Sequence, residues 1–431
     1  MRVLIKNGRV IDPKSGFDAV TNIYIDNGVI EEIGDCADYD DTDIEQLDAS
    51  GLTVAPGLVD MHCHLREPGQ EYKEDIASGT ESAVMGGFTS VACMPNTVPA
   101  ADNKIVIEYI INKARECAYT NVYPIGAISK GLKGRELAEI GEMKFAGAVA
   151  VSDDGRPVED ANLMKNAMLY ADTFDIPVIS HCEDLSLKND GVINEGFIST
   201  ETGLRGITRA SEELMVSREC ILSQTFGVPV HIAHVSTRNS IDIIRRAKAN
   251  GARVTCETCP HYFSLTEEAC RGYDTNAKMN PPLRTADDVA AVKEGLADGT
   301  IDAIATDHAP HAHDEKNCEF DLALNGIVGF ETAFSLGITH LVKTGVLTTN
   351  QLVEKMSAAP SDILGINKGT LHEGGCADIV IFDENEEYTV NVSEFHSKSK
   401  NSPFDGLKLC GRVKSVFVGG ELVVDRGVLM K

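Results

Sequence analysis

Positive charge is scarce in this sequence: Lys+Arg is 39 against 66 Asp+Glu, and 39 − 66 = −27. That balance argues against nucleic acid or an anionic membrane surface as a partner. An anionic ligand would have to be drawn by local positive charge, from a metal or an arginine, and not by the overall field. Apolar runs of membrane-spanning length are absent. No apolar segment follows Met1-Arg2 either, because Val3-Leu4-Ile5 is broken at once by Lys6-Asn7-Gly8, so no signal peptide is expected. The C-x-x-C pair Cys256 and Cys259 has no second pair to complete a zinc ribbon. The 12 cysteines are scattered through apparent strands and helices and read as ordinary reduced thiols of a cytoplasmic protein.

What is present is the composition of a folded enzyme-sized chain, with 431 residues, 43% apolar and 24% charged. The first stretch alternates short β-rich runs with Asn-Gly turns, as at Asn7-Gly8 and Asn27-Gly28. The C-terminal end has the same texture around 377–383 and 413–424. Neither end makes a stable sheet alone, so the two are expected to pair. Residues 1–53 and 370–431 would form a composite β-sandwich domain flanking 54–369. Between them, strand-like runs recur about every thirty residues, at 89–96, 121–127, 147–155, 177–184, 229–236, 253–259 and 301–308. An apolar run at 52–58 that leads into His62 precedes them, and stretches such as 161–174 and 240–250 supply helices. Eight such units predict an α/β fold, a (β/α)8 TIM barrel, with an open doubly wound sheet as the alternative.

Active sites of such barrels lie at the C-terminal ends of the strands. There the sequence sets His62 and His64 on the first strand, Asp154 on the fourth, His181 on the fifth, His234 on the sixth and Asp307 on the eighth. In an extended chain residues two apart share a side, so His62 and His64 can reach one ion while Cys63 faces away. Any one of these residues could be structural, and His231 and His261 read that way, but six N and O ligands at one mouth exceed chance. Four imidazoles with two carboxylates suit two divalent ions and favour zinc. Two ions sharing a water bring its pKa to about 7, which provides a hydroxide nucleophile. Asp307 would take the proton and pass it to the leaving group. Arg66 stands two residues beyond His64, where its guanidinium could grip a substrate carboxylate.

Several ordered motifs together resemble one family. They are His62-x-His64-x-Arg66-Glu67-Pro68-Gly69, Met94-Pro95-Asn96-Thr97, Ser152-Asp153-Asp154-Gly155 and His181-Cys182-Glu183-Asp184. His234-Val235-Ser236, Asn280-Pro281-Pro282-Leu283-Arg284 and Thr306-Asp307-His308-Ala309-Pro310-His311 complete them. The set is similar to the dihydroorotases, class I bacterial form, of the amidohydrolase superfamily. The resemblance implies reversible cyclisation of N-carbamoyl-L-aspartate to L-dihydroorotate in de novo pyrimidine synthesis. It implies two Zn2+ per subunit, bridged by Asp154 and a hydroxide, one ion on His62, His64 and Asp307 and the other on His181 and His234. Arg66, Asn96 and His311 would hold the α-carboxylate, while Asn280 and the backbone around Asn325-Gly326 would meet the ring amides. A homodimer, with room for association with aspartate transcarbamoylase, is implied as well.

One departure is that the fourth strand ends without the lysine that many superfamily members carboxylate as a bridge. It offers Asp153 and Asp154 instead, of which the spacing to His181 favours Asp154. The competing functions are a hydantoinase or allantoinase, which need not grip an exocyclic carboxylate, and an inactive scaffolding barrel, which would lack metal ligands.

Overall fold

Each of the eight anticipated strand–helix units has its strand in the computed structural model, which describes residues 2–36, 39 and 44–430. The barrel strands are Leu58–Cys63, Phe88–Cys93, Asn121–Gly126, Ala150–Ser152, Val178–Ser180, Val230–Ile232, Val254–Thr258 and Ala303–Ile304. They pair in chain order, all parallel. The circle closes between the eighth strand and the first. Asp307 N–H donates to His62 O at 3.0 Å and His64 N–H to His308 O at 2.8 Å. Just below, the buried Asp60 carboxylate accepts from Thr306 N–H at 2.9 Å and Thr306 Oγ1 at 2.6 Å. Closure is therefore completed by the loops that carry the candidate ligands, and the open-sheet alternative is excluded.

The helices follow the expected pattern. Ala161–Asp172 starts on the Asp160 cap, and Arg238–Ala249 starts on Thr237 and buries Ile241, Ile244 and Ala247 on one stripe. The shell between strands and helices is one large apolar cluster. The barrel interior is filled by a smaller one, with Met61, Ala92, Ile125, Ala150, Ile179, Ala233 and Ala303. Small residues from most of the strands leave space above this plug for polar side chains.

A local irregularity sets the first strand. Its register with the second slips between Asp60 and Cys63, so one extra residue is accommodated there. Such a bulge re-aims side chains. Met61 joins the interior plug and Cys63 the outer shell, while His62 rises into the mouth.

The apolar run at 52–58 is not one strand, contrary to expectation. Thr53–Pro56 pairs with Arg2–Asp12 and with Ile379–Thr389, and the barrel begins only at Leu58. The change of sheet falls on Gly57, where a Cβ would stand 2.2 Å from Thr89 Oγ1, so no larger residue fits. Thr53–Pro56 thus belongs with the two chain ends, which share one nine-stranded mixed sheet. Its own core joins both ends, with Val3, Ile5, Ile23 and Ile25 packed alongside Ile379, Ile381 and Phe417.

Candidate active site

At the barrel mouth Asp154 lies at the centre of the histidines. Its Oδ1 is 3.4 Å from His62 Nε2, 3.5 Å from His181 Nδ1 and 3.6 Å from His234 Nε2, and its Oδ2 is 3.5 Å from His64 Nε2. Asp307 Oδ1 stands 3.2 Å from His64 Nε2 and 3.6 Å from His62 Nε2. All six sequence-derived ligand positions therefore meet. Asp153 does not join them. Its carboxylate turns into the neighbouring loop and accepts from Ile128 N–H at 2.8 Å, Ser129 N–H at 3.0 Å and the Ser129 hydroxyl.

The electrostatics of the cluster favour a cation. Burial alone would raise the Asp154 carboxyl, but His62, His181 and His234 outweigh it and hold the group well below its ordinary range. Asp307 is likewise held low by His62 and His64 against its burial. Burial pushes the His62 imidazole down, yet Asp154, Asp307 and Glu257 raise it further. Among the described residues, buried His62 Nε2 has no hydrogen-bond partner. Metal–nitrogen bonds of about 2.0–2.1 Å set tetrahedral ligand atoms roughly 3.3–3.4 Å apart. The six imidazole–carboxylate separations of 3.2–3.6 Å match that spacing, while His181 Nδ1 and His234 Nε2 stand closer, at 2.8 Å. The residues present fit a divalent metal.

Backbone strain marks the same place. Arg66 (φ 61°), His234 (φ 35°) and Asp307 (φ 47°) all occupy the left-handed region, which non-glycine residues rarely adopt. Each such residue costs on the order of 1–3 kcal/mol and tends to occur where function constrains the chain.

The other candidate residues ring the cluster unequally. Arg66 is buried, and its Nε donates to Pro310 O at 3.1 Å. Among the described residues its terminal nitrogens have no hydrogen bond and no carboxylate partner. Asn96 is committed on both sides, with Oδ1 2.9 Å from His64 Nδ1 and Nδ2 3.5 Å from Asp154 Oδ2. Asn280 Nδ2 approaches His181 Nε2 at 3.4 Å, and its buried Oδ1 has no hydrogen-bond partner among the described residues. His311 donates from Nε2 to Asn325 O at 2.7 Å and keeps Nδ1 3.4 Å from Lys73 Nζ. Burial first, then Arg66, Lys73 and Lys316, hold this ring neutral, down to about 2. Gly326 must be glycine: at φ 132° a Cβ would come 2.6 Å from Ala309 Cβ.

Comparison with known proteins supplies the family. A family model described as Dihydro-orotase-like matches residues 51–240. The chain is 62% identical over 428 residues to the dihydroorotase of Acetivibrio thermocellus, covering 99% of this chain and 100% of that protein. The chain belongs to the dihydroorotase family. A second dihydroorotase, from Ruminiclostridium cellulolyticum, is 59% identical over 100% of both chains. Among solved structures, the L-hydantoinase of Arthrobacter aurescens superimposes with a TM-score of 0.89 at 25% identity, covering 100% of this chain and 97% of that one. Fold alone therefore does not separate a dihydroorotase from a hydantoinase. Among the described residues no helix is long and apolar enough to cross a membrane.

Sequence reasoning missed one neighbour that this dihydroorotase-family site depends on. Glu257, on the seventh strand, is wholly buried and lies 2.7 Å from His62 Nδ1 and 3.4 Å from His231 Nε2. Those two imidazoles overcome its burial and bring the carboxyl down to about 2. His62 Nδ1–H is thus fixed as a donor, which presents Nε2 to the aspartates as the nitrogen a metal would take. The signal was a lone acid facing inward on an apolar strand, and it identifies His231 as its second support. Glu257→Gln keeps the shape and removes the charge. It is expected to weaken metal affinity about ten- to hundredfold, the usual cost of losing such a partner. Competition with a chelator measures this, and unchanged affinity would reduce Glu257 to a packing role.

Cys259 Sγ, His261 and Asp307 also approach one another within 4.8 Å. Burial holds the Cys259 thiol well above its ordinary value, so it stays protonated and a poor ligand. Among the described residues neither ring nitrogen of His261 has a hydrogen-bond partner, and burial brings the ring down to about 4.

Proposed function

We propose that this site carries out the reversible interconversion of N-carbamoyl-L-aspartate and L-dihydroorotate in de novo pyrimidine synthesis. The chain is a cyclic amidohydrolase of the dihydroorotase family, and full-length identity of 62% to a dihydroorotase supports that substrate. The observation that carries the choice over a hydantoinase is Arg66. A buried guanidinium with free donors, beside a cluster of metal-competent residues, calls for an anion that a hydantoin ring does not carry.

In this reading two Zn2+ ions would be held per subunit, one by His62, His64 and Asp307 and the other by His181 and His234, with Asp154 facing both sets. When bound, the metals supply Lewis-acid polarisation of the ring carbonyl and an activated water. Asp307 accepts a proton from the attacking water on its carboxylate. It returns that proton to the ring nitrogen as the amide bond opens, and the order reverses on cyclisation. Arg66 takes the substrate carboxylate. Asn96 and His311 would join it only by giving up present partners, Asn96 Nδ2 leaving Asp154 and the single N–H of the neutral His311 ring leaving Asn325 O. Asn280 Oδ1, unpaired and buried, suits a ring N–H, and the Asn325-Gly326 backbone meets the other ring amide.

The two chain ends, expected as 1–53 and 370–431, form the composite flanking domain in this reading, with Thr53–Pro56 joining them and the catalytic barrel starting at Leu58 instead of 54. A cytoplasmic homodimer that can associate with aspartate transcarbamoylase is part of the same proposal.

The test is hydrolysis of L-dihydroorotate by purified protein, with hydantoin and allantoin as controls. Activity on dihydroorotate alone, abolished by chelation and restored by zinc, is the expected result. Preference for hydantoin, or full turnover after metal removal, would overturn the assignment.

A further inference from the structure

Two loops carry the proposed ring contacts. The one after the seventh strand holds Asn280, and the one after the eighth holds Asn325 and Gly326. A single buried side chain ties them together. Lys316, at the end of the short helix His313–Lys316, donates from Nζ to Leu324 O at 2.8 Å and to Gly326 O at 3.1 Å, either side of Asn325. The same ammonium donates to Lys278 O at 3.3 Å, two residues before Asn280. Gly326 N–H reaches that carbonyl too, at 2.9 Å. An ammonium has three donors, and here all three meet backbone carbonyls. Lys278 makes a second tie in the opposite direction, from Nζ to Phe320 O at 2.7 Å and Asp321 O at 2.9 Å.

Burying an ammonium against carbonyls alone is costly, and a neutral amide would tether a loop more cheaply. The charge has a second effect. Lys316 is one of the cations, with Arg66 and Lys73, whose field keeps His311 neutral at the carboxylate end of the site. In a chain of net charge −27 this is a local region of positive potential.

We propose that Lys316 is a positioning residue that sets substrate affinity, its ammonium clasping the Asn280 and Asn325-Gly326 loops at the spacing needed to hold a ring imide that carries a carboxylate. The inference rests on the dihydroorotate reading of the site. The groups facing Lys316 are Lys278, Asp274 and Cys270 from the seventh loop, and Cys318 and His311 from the eighth. Lys398 and Lys400 line the cavity of about 370 Å³ that opens beside it. Burial, then Lys278, brings the Lys316 ammonium down to about 7, against the opposing pull of Asp274. The clasp is therefore complete below that pH. It loses a donor and its charge as pH rises, while an anionic substrate draws the proton back.

The experiment uses the zinc-loaded protein and L-dihydroorotate. Lys316→Met is expected to raise KM roughly tenfold to a hundredfold, the scale of a lost charged hydrogen bond, with kcat within about threefold and metal content unchanged, as for binding lost equally from ground and transition states. Wild-type KM should rise from about pH 7 upward, and that rise should vanish in the variant. Methylammonium, entering through the adjoining cavity, should lower the KM of Lys316→Ala. A folded, metal-replete Lys316→Met with KM within twofold of wild type overturns the proposal, as does loss of kcat at unchanged KM. If the variant does not fold, the wild-type profile decides, because a flat KM across that range overturns it equally. Absence of dihydroorotate turnover by the wild type would instead overturn the functional reading beneath it.

Discussion

Asp154→Ala is expected to empty the metal centre and lower dihydroorotate turnover at least about a thousandfold, beyond the ten- to hundredfold typical of losing an outer partner. The reason is its central place. The carboxylate faces His62, His64, His181 and His234 at 3.4–3.6 Å, so its removal leaves four imidazoles with Asp307 as the only carboxylate left among the six candidate ligands. Asp153→Ala serves as the control one residue away. That carboxyl accepts three hydrogen bonds from Ile128 and Ser129, and burial raises it to about 6. Its loss strands two backbone N–H groups, at about 1–3 kcal/mol each, and should lower thermal stability while metal content holds. Elemental analysis and melting curves of both variants check the pair. Metal loss in Asp153→Ala with retention in Asp154→Ala would reverse the bridging assignment.

Arg66→Met is expected to weaken dihydroorotate turnover by about tenfold to a hundredfold with zinc content unchanged. The molecule is strongly acidic, so neither monoanionic dihydroorotate nor dianionic carbamoyl aspartate gains from the global field. The distal charge of carbamoyl aspartate can be met at the metal centre. The α-carboxylate common to both needs a dedicated cation, and Arg66 is buried with its terminal donors free among the described residues. A charged hydrogen bond contributes roughly 1.5–3 kcal/mol. Since each 1.4 kcal/mol is about a factor of ten, the estimate follows. A neutral cyclic amide without the carboxylate should be nearly indifferent to the substitution. Equal damage to both substrates would make Arg66 structural and remove the main physical argument against a hydantoinase.

Much of the architecture was legible before any tertiary structure. Eight strand-like runs alternating with helical ones specify a parallel barrel, because a parallel strand needs a crossover and a helix to make it. The β-rich ends cannot bury a face alone, so their pairing follows. The one misread strand, at 52–58, was misread because an apolar run carries no sign of which sheet it joins. Thr53–Pro56 and Leu58–Cys63 are separated only by Gly57, whose fit against Thr89 is a fact of packing.

For the site, sequence alone determined which residue types gather at the strand ends: His62, His64, Asp154, His181, His234 and Asp307 all sit there because barrel register puts them there. Only the tertiary structure decided which of two adjacent aspartates faces the histidines, since neighbouring side chains must diverge and local pattern does not say which way. It alone brought Glu257 to His62 across 195 residues of chain and set the Lys316 ammonium between two loops. It alone held Arg66, His234 and Asp307 at positive φ, against their own preference. Those features come from long-range contacts strong enough to override local propensity, and no window of sequence contains both partners.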